Sequence, residues 1–189
     1  MEIIYAELGN PIEKYLPRIL KCLQVLDEKE IWWRPNAASN SAGNLVLHLC
    51  GNVRQWIICG LGGKPDVRKR DEEFAERGPI PRRRLIATLK QTVEEARQTL
   101  DALSPETLTR EFVIQGYRVS GRTAVSSVYE HFAYHAGQII YVAKLKCGKD
   151  LRFTRLPIYK PKGNVAVLNP KKIRVGANRN VVHSLRKRF

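Results

Sequence analysis

The chain has 189 residues, of which 43% are hydrophobic, so it is long enough to bury a core of its own. Its longest apolar runs are far shorter than the roughly 20 residues of a membrane-spanning helix, and no basic region leads into an apolar N-terminal stretch. This composition excludes an integral membrane protein and predicts a cytoplasmic one. The four cysteines form no C-x-x-C pair, which favours reduced thiols over disulfides or a zinc knuckle.

The net charge of +15 is concentrated at the C-terminal end of the chain. Residues 151–189 hold eleven Lys or Arg and no acid, whereas residues 1–150 hold 22 basic and 18 acidic side chains, a net +4. The body, residues 1–155, is therefore not strongly basic. Residues 156–189 are predicted to form an extended or disordered tail that could bind nucleic acid or another polyanion. The candidate residues for this binding are Lys171, Lys172, Arg174, Arg186, Lys187 and Arg188.

Apolar side chains recur at helical spacing in four segments, of which two lie in the first 60 residues. Asn10 and Pro11 combine a capping residue with a proline at the first helical position, and they predict a helix that runs to about Asp27. Ser41 is the predicted cap of a second helix, which the glycines from Gly60 onwards end.

The third and fourth helices are predicted in the second half of the body. The third starts at Arg82, and Pro105 marks where it has stopped. Thr123 is the predicted cap of the fourth helix, which ends at Gly148.

The connections between these helices are long. Residues 66–80 are charged and predict a long loop or a single helical turn, and residues 112–122 are compatible with a short hairpin or an irregular crossover. Four amphipathic helices with such connections predict an all-α fold, a four-helix bundle with crossover connections and a basic C-terminal arm.

Three histidines lie on the apolar faces of two of these helices. His131 and His135 are four residues apart, so both imidazoles project from one face of the fourth helix. His48 lies between Leu45 and Leu49 on the second helix. Each could be a core histidine satisfied by a hydrogen bond, but three together leave several ring nitrogens in need of partners. The residues alone leave one shared divalent metal ion and three separate core histidines as open alternatives.

The motifs around these histidines resemble those of the DinB/YfiT-like superfamily of metal-binding four-helix bundles. The resemblance covers about residues 5–155. It is carried by Asn40-Ser41-x-x-Asn44-Leu45-x-x-His48-Leu49 with Gly51-Asn52, and by His131-x-x-x-His135-x-Gly137-Gln138-Ile139. An uncharacterised bacterial subgroup is similar in a further segment, Arg70-Asp71-x-x-Phe74 with Gly78-Pro79-Ile80-Pro81.

The resemblance implies that His48, His131 and His135 hold one divalent metal ion, zinc or alternatively nickel, and that the chain forms a homodimer. It further implies a metal-dependent enzyme of the thiol S-transferase or hydrolase kind that acts on a small molecule. A low-molecular-weight thiol is the expected co-substrate in the first case. The alternatives are a stress-related metal-binding protein without turnover, and a polyanion-binding protein that acts through the tail.

A histidine that binds a metal also needs an acceptor for its other ring nitrogen. The polar side chains within about one turn of a histidine are Asn44, Asn52, Gln55 and Gln138. No acid lies on the inner faces beside the histidines, so no general base is identified; Asp71 or Glu72 in the charged loop could cover the site, although a solvated loop is the simpler interpretation. Arg54 and Arg70 are candidates for a cationic pocket that would receive the thiol.

Overall fold

The computed structural model describes residues 10–153. Its α-helices are α1 Pro11–Val25, α2 Glu28–Ile31, α3 Ala42–Val53, α4 Arg70–Ala75, α5 Arg82–Asp101 and α6 Gly121–Cys147. The segment Arg54–Leu61 continues α3 as a π-helix, Pro105–Leu108 is a 3-10 turn, and the strands are β1 Glu111–Ile114 and β2 Tyr117–Ser120. The predicted tail, with all six candidate polyanion-binding residues, lies outside the described residues.

The starts of the long helices follow from local capping. Asn10 accepts two backbone N–H groups of the first turn of α1, and Ser41 forms a reciprocal capping box with Asn44 at the start of α3. The predicted cap of α6 was wrong. Ser120 is the cap, and its hydroxyl accepts the backbone N–H of Thr123. The helix starts three residues earlier than predicted because β2 leads directly into it.

The four long helices form a bundle around one hydrophobic core. Helix α1 packs against α5 and α6, and α3 packs against the same two helices. The consecutive long helices α1 and α3 therefore occupy opposite corners, and the chain crosses the bundle between them. This arrangement confirms the predicted all-α bundle with crossover connections. Its most buried large side chains include Ile19, Leu23, Leu49, Leu89 and Phe132.

Helix α4 is a six-residue element within the charged connection, and it packs against α3. The side-chain amide of Asn44 donates to the carbonyl oxygens of Glu73 at 2.8 Å and Glu76 at 2.9 Å. The guanidinium of Arg34 donates to the carbonyl oxygen of Phe74 at 2.8 Å. The last carbonyl groups of a helix have no partner within the helix. These bonds satisfy such carbonyl groups at the end of α4 and attach α4 to the start of α3.

The segment before α6 is the hairpin, the first of its two predicted alternatives. Strands β1 and β2 pair in antiparallel register, and Gln115 and Gly116 form the turn with φ of 54° and 83°. The hairpin packs against the π-helical stretch, where the indole N–H of Trp56 donates to Oε1 of Gln115 at 3.3 Å. Its turn therefore lies beside the end of α3. Among residues 10–153, no helix has the length and apolarity required to span a membrane.

Candidate metal centre

The three predicted histidines converge at one point between α3 and α6. Nε2 of His131 lies 3.0 Å from Nε2 of His48 and 3.1 Å from Nε2 of His135. The possible ligand atoms of the three side chains all lie within 4.8 Å of one another, so the group could hold a metal ion. It is the one group of three or more His, Cys, Asp or Glu side chains with such geometry in the described part of the chain.

The cluster lies at the edge of the bundle and not in its centre. His48 is buried, but His131 and His135 are half-buried, and Phe132 between them is fully buried. The histidines of α6 therefore lie at the margin of the core, although their place on an apolar face predicted that they would point into it. Successive helical residues are rotated by about 100°, so His131 and His135 both lie on the same side of Phe132, which takes the central stripe of the helix.

Two of the imidazoles are neutral at neutral pH. Burial, reinforced by the neighbouring imidazoles and arginines, lowers the pKa of His131 to about 3. Burial also lowers the pKa of His135, although the hydrogen bond with Gln138 opposes the shift. The neutral imidazole is the form that has a lone pair for a metal ion.

The outer nitrogens of two histidines have acceptors. Nδ1 of His48 lies 2.9 Å from Oε2 of Glu73, and Nδ1 of His135 lies 2.7 Å from Oε1 of Gln138. An ionised carboxylate and an amide oxygen only accept, so a neutral imidazole that donates to either one through Nδ1 keeps its lone pair on Nε2. Nη2 of Arg68 also lies 3.1 Å from Nδ1 of His48. Nδ1 of His131 is buried and has no partner among the described residues. The Nε2 lone pairs of His48 and His135 thus point towards the imidazole of His131. A divalent cation fits such a group of three imidazoles.

Glu73 is the acid beside the histidine cluster that the sequence did not reveal. Its carboxylate accepts two hydrogen bonds from Arg68, Nε to Oε1 at 2.8 Å and Nη2 to Oε2 at 2.9 Å. Burial alone would raise the pKa of Glu73, but the hydrogen bonds from Arg68 and His48 outweigh burial and hold the pKa below its usual value. Glu73 is therefore ionised. The acids considered from the sequence lie elsewhere on α4, where Glu72 is exposed and pairs with Lys69.

Gly51 makes room for this ion pair. It lies one turn after His48 on α3, and a Cβ atom there would overlap Oε1 of Glu73 and approach Nε of Arg68 to 2.8 Å. The Arg68–Glu73 pair is almost closed to solvent, with side chains 5% and 11% exposed. A larger residue at position 51 would therefore have to displace a buried ion pair that binds a histidine.

Of the four polar residues considered as acceptors, Gln138 alone contacts a histidine in the described structure. Asn44 instead attaches α4 to the start of α3. The side-chain oxygen of Gln55 accepts from Nη1 of Arg68 at 2.9 Å, so Gln55 reaches His48 only through the arginine. Asn52 lies on the wall of a cavity beside the histidines.

The two arginines considered for a cationic pocket have different surroundings. Arg54 pairs with Glu95 at 2.7 Å, and Lys64 reaches the same carboxylate at 2.6 Å. Arg70 lines a cavity of about 220 Å³ whose wall includes His48 and His131. The structure therefore favours Arg70 over Arg54 as a cation beside the cluster.

Solved structures of similar fold come from three bacteria. A conserved protein of Enterococcus faecalis aligns with a TM-score of 0.64 and 17% identity, over 74% of this chain and 94% of that one. The DinB-like protein YjoA of Bacillus subtilis has a TM-score of 0.57 and 20% identity, over 85% of this chain and 99% of the other. A DinB-like protein of Bacillus cereus has a TM-score of 0.56 and 16% identity, over 72% and 87%. At these identities, the likeness establishes the fold alone.

The family comparison covers most of the chain. No curated protein matches the chain. A family model described as "Protein of unknown function (DUF1572)" matches residues 7–161. The chain belongs to the DUF1572 family, and its fold is DinB-like.

Proposed function

We propose that His48, His131 and His135 bind one divalent metal ion, zinc in the first place and nickel as the alternative, and that the chain is a metal-dependent enzyme acting on a small molecule. The observation that carries this proposal is the convergence of the three Nε2 atoms beside a cavity. Three protein ligands with a fourth position left for substrate are typical of catalytic zinc sites. Imidazole ligands also suit nickel.

The chain's own residues would orient the ligands. Glu73 and Gln138 hold the rings of His48 and His135 with their Nε2 atoms directed inwards. The ring of Phe74 lies 4.5 Å from that of His48, measured between centroids, and covers it on the side of α4. A bound divalent ion supplies a Lewis acid that lowers the pKa of a coordinating thiol or water.

We favour thiol transfer over hydrolysis. No carboxylate lines the cavity beside the histidines in the described structure, so no general base is at hand to take a proton from water. Glu73, the nearest acid, is held by Arg68 and His48. A thiol needs no such base because coordination alone removes its proton.

The metal site is tested by elemental analysis of protein purified without added metal. Wild type should retain about one zinc or nickel ion per chain, and His48→Ala and His135→Ala should retain almost none. His183→Ala is the matched control because His183 belongs to the basic C-terminal segment of the sequence, outside the helical segments that carry the three histidines, and the variant should retain metal as wild type does. Near-stoichiometric metal in the first two variants would contradict the three-histidine site.

The enzymatic activity is tested separately with metal-loaded protein. Thiol conjugation to electrophiles and hydrolysis of esters and amides should be measured over a broad panel, with His135→Ala as the negative control. Thiol conjugation that depends on His135 supports the proposal. A metal-loaded protein without either activity would point instead to the non-catalytic alternative, a stress-related metal-binding protein.

A further inference from the structure

The cavity beside the histidines has a polar wall made largely of hydrogen-bond donors. Its volume is about 220 Å³, and His48 and His131 form the side nearest the candidate metal centre. The remainder is lined by Asn52, Trp56, Arg68, Arg70, Gln115 and Ser127. Drug-sized ligands occupy roughly 300–1,000 Å³, so this cavity suits a smaller molecule.

Asn52 is a buried polar residue without a partner on this wall. It is 8% exposed, and its Oδ1 has no hydrogen-bond partner among the described residues. A buried polar atom without a partner is unfavourable. Because Oδ1 is closed to solvent, the NH₂ end of the amide is the end that can offer a donor to a ligand in the cavity.

Gln115 contributes a second amide. Its Oε1 accepts from the indole of Trp56, which leaves its NH₂ group as the free end of the amide. The turn between β1 and β2 places Gln115 at the cavity with a φ of 54°. Two amides from different elements thus meet at one wall.

Arg70 supplies the charge. The positive charge of Arg68 is neutralised by Glu73, whereas Arg70 lies 5.0 Å over the ring of Phe74 and pairs with no acid among residues 10–153. The wall therefore has one uncompensated positive charge. A guanidinium matches a carboxylate in charge and in its planar, two-pronged geometry.

We propose that this cavity binds the carboxylate of a small substrate, with Arg70 as its ion partner and Asn52 and Gln115 as amide donors. The substrate's thiol would then face His48 and His131. The inference rests on the proposed function, because the histidine cluster is taken to hold the metal ion that receives the thiol. It narrows the substrate class to small mercapto-carboxylates.

The test compares mercaptoacetate with its neutral analogue mercaptoacetamide, by calorimetric titration of the zinc-loaded full chain. The ratio of the two affinities is measured in wild type and in Arg70→Gln. We expect the ratio to fall about tenfold in Arg70→Gln, the factor for the loss of one charge-assisted hydrogen bond. The two thiols differ in acidity, but this difference affects the ratio equally in wild type and in Arg70→Gln and therefore cancels when the two ratios are compared. Arg83→Gln, which removes an exposed arginine from α5, is the matched control and should keep the wild-type ratio.

The outcomes separate this inference from the proposed function. Zinc-loaded protein that binds neither thiol, or that keeps the same ratio after Arg70→Gln, overturns the carboxylate site and leaves the metal site in place. Wild-type protein that retains no zinc in the elemental analysis overturns both. If Asn52→Ala also lowers the affinity for mercaptoacetate while its zinc content stays unchanged, the result supports Asn52 as a donor to the carboxylate.

Discussion

Glu73 connects the histidine cluster to the rest of the molecule. It binds His48 and Arg68 at once, and the guanidinium of Arg68 in turn reaches Gln55 in the π-helical stretch. A carboxylate bound to the outer nitrogen of a metal-ligating histidine sets the tautomer and strengthens the ligand. We therefore regard Glu73 as a positioning residue for His48.

Replacing Glu73 tests this role. Glu73→Gln keeps the shape of the side chain but removes the charge, so we expect metal affinity to fall about 10- to 100-fold, as measured by competition with a chromophoric chelator. Glu72→Gln is the matched control because Glu72 lies next to it in an exposed ion pair, and its affinity should change less than about twofold. An unchanged affinity in folded Glu73→Gln protein would show that His48 does not depend on Glu73.

The low pKa of His131 predicts how the metal-free protein responds to acid. The pKa is about 3 in the folded protein and 6.5 ordinarily, so between these values the unfolded chain binds a proton that the folded chain does not. The free energy of unfolding therefore falls as the pH drops below 6.5, by up to about 2 kcal/mol at pH 5 from this group. Urea denaturation of chelator-treated protein at pH 7 and pH 5 measures the loss. In His131→Asn the free energy of unfolding should fall less between pH 7 and pH 5. An equal fall in the variant and in wild type would show that His131 is not the group responsible.

At the scale of secondary structure, the site depends on how closely α4 approaches α3. Gly51 permits the approach, and the bonds from Asn44 and Arg34 hold the end of α4 in place. Helix α3, which carries His48, is thus joined to the element that carries Glu73. A change at the α3–α4 contact should act on the metal site without altering any ligand.

Gly51→Ala tests this contact. The new methyl group would displace Glu73, so we expect metal affinity to fall at least about tenfold, as for direct loss of the outer-shell partner. Gly137→Ala is the matched control, since a Cβ at this position of α6 has nothing within 4 Å. It should leave affinity unchanged and raise the free energy of unfolding by about 0.4–1 kcal/mol. Equal metal affinity in the two variants would contradict the role of Gly51.

The sequence predicts the long helices well because their signals are local. Caps such as Asn10 and Ser41 and the period of the apolar side chains lie within a few residues of the helices that they define. The start of α6 was misplaced because Ser120 and Thr123 are both capping residue types, and β2 decides between them. The π-helical stretch has no distinct apolar period from which it could be predicted.

The sequence predicts the three histidines of the candidate site and Gln138 beside His135, but not the residues beside His48. The spacing of His131 and His135 places both on one helix face, and this signal is local. Glu73 lies on a helix of six residues that depends on Asn44 and Arg34, which are about 30 to 40 positions away in the chain. No local pattern records such contacts, so the acid beside His48 was not foreseen.

At the scale of the whole molecule, the basic charge and the candidate metal centre belong to different parts of the sequence. The centre lies in residues 48–138, and residues 151–189 hold eleven basic side chains without an acid. The homodimer stays a prediction, as does the boundary between body and tail near residue 155. A DinB-like fold does not by itself define the reaction, so substrate and activity rest on the site.

Polyanion binding through the tail is tested with charge-neutralised full-length protein. Lys171, Lys172 and Arg174 replaced together by Gln should weaken binding to a DNA duplex, measured by fluorescence anisotropy, if the tail binds phosphates. The slope of log affinity against log salt should become shallower by about 0.9 for each phosphate that the variant no longer neutralises. Metal content should stay as in wild type. Equal DNA affinity and salt slope in the variant would remove this alternative.

The central claim is that three imidazoles hold one metal ion, and X-ray absorption at the edge of the retained metal tests it most directly. For zinc we predict three imidazole nitrogens at about 2.0–2.1 Å and one further light-atom ligand in the wild-type protein. A shell of sulfur ligands at about 2.3 Å would assign the metal to the cysteines and contradict the three-histidine site. A spectrum without imidazole scattering would contradict the site as well.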